Sequence, residues 1–363
     1  MFKGALALLM LLCPGAALPA YALEDDVLVT VSDTASLEKA VRRANRLGRV
    51  QILLSDGRYP LERALAITGD HVTLRSASGD PRKVVLHGIG MRRTPSVQNL
   101  VEVSGQHVAL IGLTLQDTPN HLVQLRGERN ADHFSLVNCV LRDAYEQLFK
   151  VSSEPDAEPS ADFGEVLDST FEYTAGVGPN YYIGGIDLHS GKGWTIAGNV
   201  FRNIASPGDR VAEHAIHLWK GSAANIVRDN LIVDSDRGIG FGLGEDWHRH
   251  NQGGEIVNNI IIDRRLGAPA ADVGIGLENS PDTLVIGNFV YLAHGYPNAI
   301  EYRFPRTSNV LISDNLTNKA IVGRNDASAE VDGNRAGSLL TRSLDLAAMA
   351  TSRMIAWLSS SSD

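Results

Sequence analysis

The sequence has few cysteines and few aromatic residues. Only two cysteines, Cys13 and Cys139, occur among its 363 residues. Cys13 lies in a segment with the features of a cleavable secretory signal, so the mature chain would keep Cys139 alone and could form no internal disulfide. Free cysteines are usually buried, and we expect Cys139 to be a buried thiol. Aromatic residues make up 6% of the chain, which also holds 35 glycines. This balance favours thin layers joined by many tight turns.

The chain also lacks an excess of basic residues. Its formal net charge is -9, which argues against binding to nucleic acid. A local basic cluster can still oppose the overall field, so an anionic substrate is not excluded. The sequence contains no compact metal motif such as H-E-x-x-H, and we therefore predict no metal site.

No apolar run in the sequence is long enough to cross a membrane. The run from Ala5 to Leu12 is too short for that. It follows Lys3 and precedes Ala-Tyr-Ala at residues 20–22, which is the pattern of a signal peptide. We predict a signal peptide over residues 1–22 with cleavage after Ala22, and a periplasmic or secreted protein without a membrane span.

What the sequence does contain is a repeat. A six-residue pattern recurs along the chain. It consists of an aliphatic residue, two residues of any type, a small polar residue, one residue of any type and an apolar residue. The polar position is occupied by Cys139, Ser169, Asn199, Asn230, Asn259, Asn288 and Asn315, at spacings of 27 to 31 residues. A period this regular indicates a solenoid.

The repeat predicts the fold class. Each period adds a second short strand pattern, such as residues 185–190 and 215–220, which is too strand-rich for helical repeats. We predict an all-β, single-stranded right-handed parallel β-helix over residues 71–325, with its asparagines in a structural ladder. Residues 23–70 form an N-terminal cap with an amphipathic helix and the first coil. Residues 326–363 form a C-terminal tail, with a closing helix over residues 343–358.

Alternation along the second strands sorts inward from outward side chains. Stacking Ile186, Ile216, Ile239, Ile275 and Ile300 inward fixes two outward columns. One column reads Gln124, Lys150, Asp187, His217, Gly240, Gly276 and Glu301, and the other reads Arg126, Ser152, His189, Trp219, Gly242, Glu278 and Arg303.

These columns carry the candidate site. A histidine beside a carboxylate suits general base catalysis, which favours His189 or His217 as the base with Asp187 orienting it. Lys220 or Arg237 would bind a substrate carboxylate, and Trp219 would offer a platform for a sugar ring. The remaining predicted substrate-binding residues are Lys150, Tyr181, Tyr182, His214, Asp236, Glu278, Glu301 and Arg303.

The capping helix, the Asp-Gly-x-Tyr strand exit at residues 56–59 and the asparagine-bearing coils resemble the pectate-lyase-like β-helix superfamily. Within it, Asp187 and His189 match the first Asp and the His of the Asp-Pro-His-Asp motif of mannuronan C5-epimerases, whereas Leu188 and Ser190 stand at its other two positions. His214 and Lys220 fall near the histidine and basic residue that follow in those enzymes. Residues 235–238 are similar to a coil entry in chondroitinase-B-type and alginate lyases.

This resemblance implies an enzyme on a uronate polysaccharide that removes the C5 proton, and either eliminates the glycosidic oxygen or epimerises the sugar. Tyr181 or Tyr182 would then be the acid. Two alternatives stay open: a glycoside hydrolase, for which Asp187 and Asp236 are the available carboxylate pair, and a non-catalytic carbohydrate-binding envelope protein. We expect a monomer that binds a polysaccharide or oligosaccharide, with no required cofactor and with calcium left open.

Overall fold

A computed structural model describes residues 27–96, 98–154 and 159–336. The predicted signal peptide and the predicted closing helix lie outside these ranges. Among the described residues, no helix combines the length and the apolar character needed to cross a membrane.

One helix, Thr34–Leu47, covers the N-terminal end of the molecule. Asp33 caps it by accepting from the Ser36 backbone N–H at 2.7 Å, and the Ser36 hydroxyl accepts in return from the Asp33 N–H at 3.2 Å. Gly48, at φ 63°, ends it. The apolar face carrying Leu37 and Val41 is buried against the first strands, as predicted for a solenoid cap.

The rest of the described chain winds into coils that form three parallel sheets. Sheet A has twelve strands: Val27–Val31, Val50–Leu54, Val72–Ser76, Ala109–Ile111, Ser135–Val137, Glu165–Leu167, Thr195–Ala197, Ile226–Arg228, Gly254–Val257, Thr283–Ile286, Val310–Ser313 and Ala329–Asp332. Sheet B has eleven: Gly57–Pro60, Val84–His87, Thr114–Thr118, Val140–Ala144, Thr170–Glu172, Val200–Arg202, Leu231–Val233, Ile260–Asp263, Phe289–Leu292, Leu316–Thr317 and Arg335–Ala336. Sheet C has ten: Leu65–Ile67, Val101–Val103, Val123–Arg126, Phe149–Ser152, Ile186–His189, Ile216–Trp219, Ile239–Phe241, Ile275–Glu278, Asn298–Arg303 and Ala320–Arg324.

Smaller elements lie in the connections between the sheets. A two-stranded ladder pairs Ser222–Ala223 with Asn251–Gln252, and 3-10 turns occupy Pro81–Lys83, Gly127–Arg129 and Trp247–Arg249. With neighbouring strands parallel throughout and aliphatic side chains filling the interior, the right-handed parallel β-helix predicted from the repeat is confirmed.

The repeated asparagines form a continuous ladder at the turn between sheets A and B. Each side-chain N–H donates to the amide oxygen of the asparagine on the next coil, at 2.9 to 3.0 Å, from Asn199 to Asn334. Each also donates to a backbone carbonyl of the preceding coil, as Asn259 does to Val227 at 2.9 Å. The predicted structural ladder is therefore confirmed. It runs on into Asn334, and strands continue to Ala336, beyond residue 325, where the sequence placed the end of the solenoid.

A second ladder runs along the turns that precede sheet A. The rings of His71, His107 and His133 stack with centroids 4.4 Å apart, and Phe163 follows at 5.4 Å. All four residues have φ between 53° and 57°, in the left-handed region that side chains seldom adopt. Ring stacking thus stabilises a turn conformation that is repeated on four successive coils.

Candidate active site

The outward columns of sheet C have the predicted register. Lys150 pairs with Asp187, Asp187 with His217, and His189 with Trp219 on adjacent strands. Ile186 and Leu188, which alternate with Asp187 and His189, are fully buried in the core. Three successive coils therefore place these polar side chains on one outer face.

Asp187 is the centre of the cluster. Although it points outward, it is only 4% exposed. Its carboxylate pairs with the Lys150 ammonium, accepts from Trp219 Nε1 at 2.7 Å, and lies 3.4 Å from His189 Nε2. Buried charges need such compensation, because an isolated ion in the interior is very costly.

The neighbours of Asp187 determine its protonation state. Burial opposes ionisation, but the Lys150 ammonium holds the pKa of Asp187 well below its usual range. Burial lowers the pKa of His189 despite the nearby Asp187 carboxylate, so its imidazole is neutral at neutral pH. The cluster therefore combines an anionic carboxylate with a neutral histidine.

Lys150 also fixes the tautomer of His189. Its Nζ lies 2.8 Å from His189 Nε2, and an ammonium can only donate. Nε2 therefore accepts, and the proton of the neutral ring resides on Nδ1. In this arrangement Nε2 of His189 is engaged within the cluster, whereas the sequence favoured His189 as a base.

His217 is placed differently from the expectation. It is 1% exposed, and its Nε2 lies 3.0 Å from the Gly242 carbonyl. Its Nδ1 lies 3.5 Å from Glu213 Oε2. The structure therefore argues against His217 as the base, because neither nitrogen is open to a substrate carbon.

Trp219 also departs from the expected role. Its ring stacks on His217, with centroids 5.3 Å apart and an interplanar angle of 9°, and meets His189 edge to face at 4.5 Å. His217 covers one face of the indole, which leaves only the other face of Trp219 for a sugar ring. Its evident contribution is the Nε1–H bond to Asp187.

Lys220 and the two tyrosines border the cluster. Lys220 Nζ donates to the Ser153 carbonyl at 2.8 Å, and burial together with Lys150 lowers its pKa. Tyr181 and Tyr182 line a separate depression with Arg93, Asn120 and Glu146. Burial and the Asp187 charge raise the pKa of Tyr182, so its hydroxyl stays protonated.

Asp236 and Glu301 are not available to a ligand. The buried Asp236 carboxylate accepts from the backbone N–H groups of Ser206 and Ala212, at 2.9 and 3.1 Å, and from Arg265 at 3.1 Å. Glu301, 2% exposed, accepts from Tyr296 and Asn298 and pairs with Arg324. The structure therefore contradicts the prediction that these two carboxylates bind substrate, because protein groups already satisfy both.

Other predicted binding residues are paired with one another. Glu278 and Arg303 form an ion pair at 2.7 Å between adjacent rungs, and Arg237 lies 3.3 Å from Asp272. These four side chains line a second depression of sheet C together with His214 and Gly276. Arg237 thus lies at the surface, although its guanidinium is paired with Asp272.

The glycines of the column make room for a histidine. A Cβ atom on Gly240 would lie 2.6 Å from His214 Nε2, and one on Gly276 would lie 4.0 Å from it. A side chain at residue 240 would therefore displace the His214 ring, which agrees with glycine marking a close approach.

Sequence reasoning left three nearby groups out of the site. Glu213 approaches His217, Ser153 holds Lys220, and Gln147 is fully buried with no hydrogen-bond partner for its amide among the described residues. All three lie just outside the predicted strands, where the outward columns give no register.

One group of residues could hold a metal ion. Glu213, His214 and His217 each offer a ligand atom, and these atoms lie within 4.8 Å of one another. The sequence predicted no metal site because the spacing of these residues matches no compact motif.

Comparison with known proteins supports the fold. No protein-family model matches the chain, and no curated protein matches its sequence. Among solved structures, it is similar to a mannuronic acid-specific polysaccharide family 6 lyase from human gut microbiota, with TM-score 0.54 and 15% identity over 85% of this chain and 78% of the other. It is also similar to the surface adhesin PfbA of Streptococcus pneumoniae, with TM-score 0.52 and 13% identity over 86% of this chain and 93% of the other. An exopolygalacturonase from Thermotoga maritima has TM-score 0.51 and 12% identity over 85% of this chain and 91% of the other.

The chain shares the parallel β-helix fold of these structures. The three similar structures comprise a lyase, an adhesin and an exopolygalacturonase. At these identities the likeness concerns the fold alone, so function has to be argued from the site.

Proposed function

We propose that the protein is a carbohydrate-active enzyme that acts on an anionic uronate polysaccharide and removes the proton next to the sugar carboxylate. The observation that supports this most directly is the buried Lys150–Asp187–His189 cluster on the outer face of sheet C. Titratable groups with perturbed pKa values that gather in one cluster are candidates for a catalytic site.

The hydrogen bonds suggest a role for each residue. Lys220 is the base, because its lowered pKa leaves more of its amine neutral. His189 is the acid. It gives its Nδ1 proton to the glycosidic oxygen in elimination, or to C5 in epimerisation, while Lys150 passes a proton to Nε2. Arg237, beside the neighbouring depression, faces the substrate carboxylate and stabilises the enolate-like anion.

The hydrolase alternative is not supported by the carboxylates. Hydrolysis needs two carboxyl groups flanking the glycosidic bond. Asp236 is committed to Arg265 and to backbone N–H groups, and Asp187 is paired with Lys150. Neither is free to serve as the second carboxylate.

The proposal is tested with the purified protein and a panel of alginate, polygalacturonate, glucuronan and glycosaminoglycans. Ultraviolet absorbance reports unsaturated uronate ends, and NMR in deuterated water reports exchange or inversion at C5. We expect His189→Gln to lower the rate by about 10²-fold or more. The control His87→Gln, on sheet B, should leave it unchanged.

Absence of both signals across the whole panel would overturn the proposed function and favour a binding protein of the same fold. Full activity in the His189→Gln variant would instead refute the role assigned to His189.

A further inference from the structure

Glu213, His214 and His217 converge at the start of strand Ile216–Trp219. One potential ligand atom from each lies within 4.8 Å of the others. Glu213 Oε2 and His217 Nδ1 are 3.5 Å apart. That separation is close to the edge of a tetrahedron with metal–ligand bonds of about 2.0–2.2 Å.

The two histidines have nitrogens without a use in the protein. Nδ1 of His214 and Nδ1 of His217 are buried and have no hydrogen-bond partner among the described residues. Such orphaned polar atoms are costly in an interior. His217 Nε2 meanwhile faces the Gly242 carbonyl at 3.0 Å, so the lone pair lies on Nδ1, directed toward Glu213. Metal-binding histidines are commonly oriented in this way, with the second nitrogen donating to a carbonyl.

We propose that Glu213, His214 and His217 bind a divalent transition metal ion of the zinc type. Two imidazoles and one carboxylate suit such ions, whereas calcium prefers oxygen ligands only. Three protein ligands leave at least one coordination position open, as in catalytic rather than structural metal sites.

The surroundings admit a cation. Asp187 is paired with Lys150 and Asp272 with Arg237, so these nearby charges offset each other. His214 lines the same depression as Arg237 and Gly276, so one of the three ligands borders a surface depression. If the proposed function is correct, on which this role rests, the metal takes the uronate carboxylate and shares its neutralisation with Arg237.

The site is tested by metal binding, independently of activity. Chelator-treated protein is titrated with Zn²⁺, Co²⁺ and Ca²⁺ by calorimetry, and the visible spectrum of the Co²⁺ form reports the ligand set. We expect one Zn²⁺ or Co²⁺ per chain, with affinity falling at least tenfold in Glu213→Gln and in His214→Gln. The matched control is His294→Gln, since His294 is also buried with an unpartnered Nε2 but belongs to no three-residue ligand group among the described residues.

The outcomes separate the site from the proposed function. No Zn²⁺ or Co²⁺ binding, or binding that survives in both ligand variants, would refute the site. Tighter binding of Ca²⁺ than of Zn²⁺ would refute the assigned metal class. Binding as expected, in a protein inactive on every uronate polymer, would uphold the site and refute its catalytic role.

Discussion

Removing one charge of the Lys150–Asp187 pair should be far more damaging than removing both. In Asp187→Asn the Lys150 ammonium, whose side chain is 9% exposed, loses its counter-charge. Breaking a buried pair in this way costs about 3–5 kcal/mol. Lys150→Met should cost a similar amount, since among the described residues it leaves the Asp187 carboxylate in contact with Trp219 and His189 but with no cationic partner.

The double variant Lys150→Met/Asp187→Asn tests whether the two charges are energetically coupled. Independent effects would add to about 6–10 kcal/mol, whereas removal of both charges should cost less than either single change. Urea unfolding followed by circular dichroism measures the free energy of unfolding of all four proteins. Glu278→Gln in the partly exposed Glu278–Arg303 pair is the control, with an expected loss of about 1 kcal/mol. Additive losses would contradict a directly coupled buried pair.

Acid offers a second measurement on the same pair. The pKa of Asp187 is depressed in the folded state, so the unfolded chain binds the proton first, near the ordinary value of 3.8. The ionised Asp187 therefore contributes to the free energy of unfolding above that pH, and this contribution is lost as the pH falls toward the pKa of Asp187 in the folded protein. The Asp187→Asn variant should lack this part of the acid dependence.

Two further predictions concern the ladders. Burial and its stacked histidine neighbours lower the pKa of His107 below 6.5, so its contribution to stability is present above that pH and lost as the pH falls. His107→Phe should reduce the loss of thermal stability below about pH 6. Phe163 shows that the ladder accepts a phenylalanine side chain. An unchanged dependence of thermal stability on pH would show that His107 does not cause this loss. Asn259→Ala removes four ladder hydrogen bonds and should lower the free energy of unfolding in urea by about 3–4 kcal/mol. Asn334→Ala, at the exposed end of the ladder, should lower it by about 1 kcal/mol. Equal losses would contradict a ladder whose stabilisation depends on burial.

The sequence was sufficient for the fold because the repeat carries two independent signals. The asparagine spacing marks one turn of each coil, and the apolar alternation of the second strands sets the register of sheet C. Together they predicted the pairing of Lys150, Asp187 and His217 on successive rungs. Both signals are local in each coil and repeat along the chain, which is why a single sequence could reveal them.

What the sequence could not supply is the use made of each side chain. The stacking of His217 on Trp219, the tautomer imposed on His189 and the burial of Asp236 all depend on contacts between different coils and connecting loops. Outward direction does not imply exposure, since Asp187 points outward and is still 4% exposed. The loops that cover these columns follow no period, so their effect had no signature in the repeat.

The position of the cluster within the stack has a consequence for how the protein can vary. Strands Ile186–His189 and Ile216–Trp219 are the two central strands of the ten in sheet C, with four others on either side. In a solenoid each coil contacts only its neighbours. Coils could therefore be gained or lost at either terminus, or fray transiently there, while the geometry of the cluster stays unchanged. The length of such a protein and its chemistry are free to evolve separately.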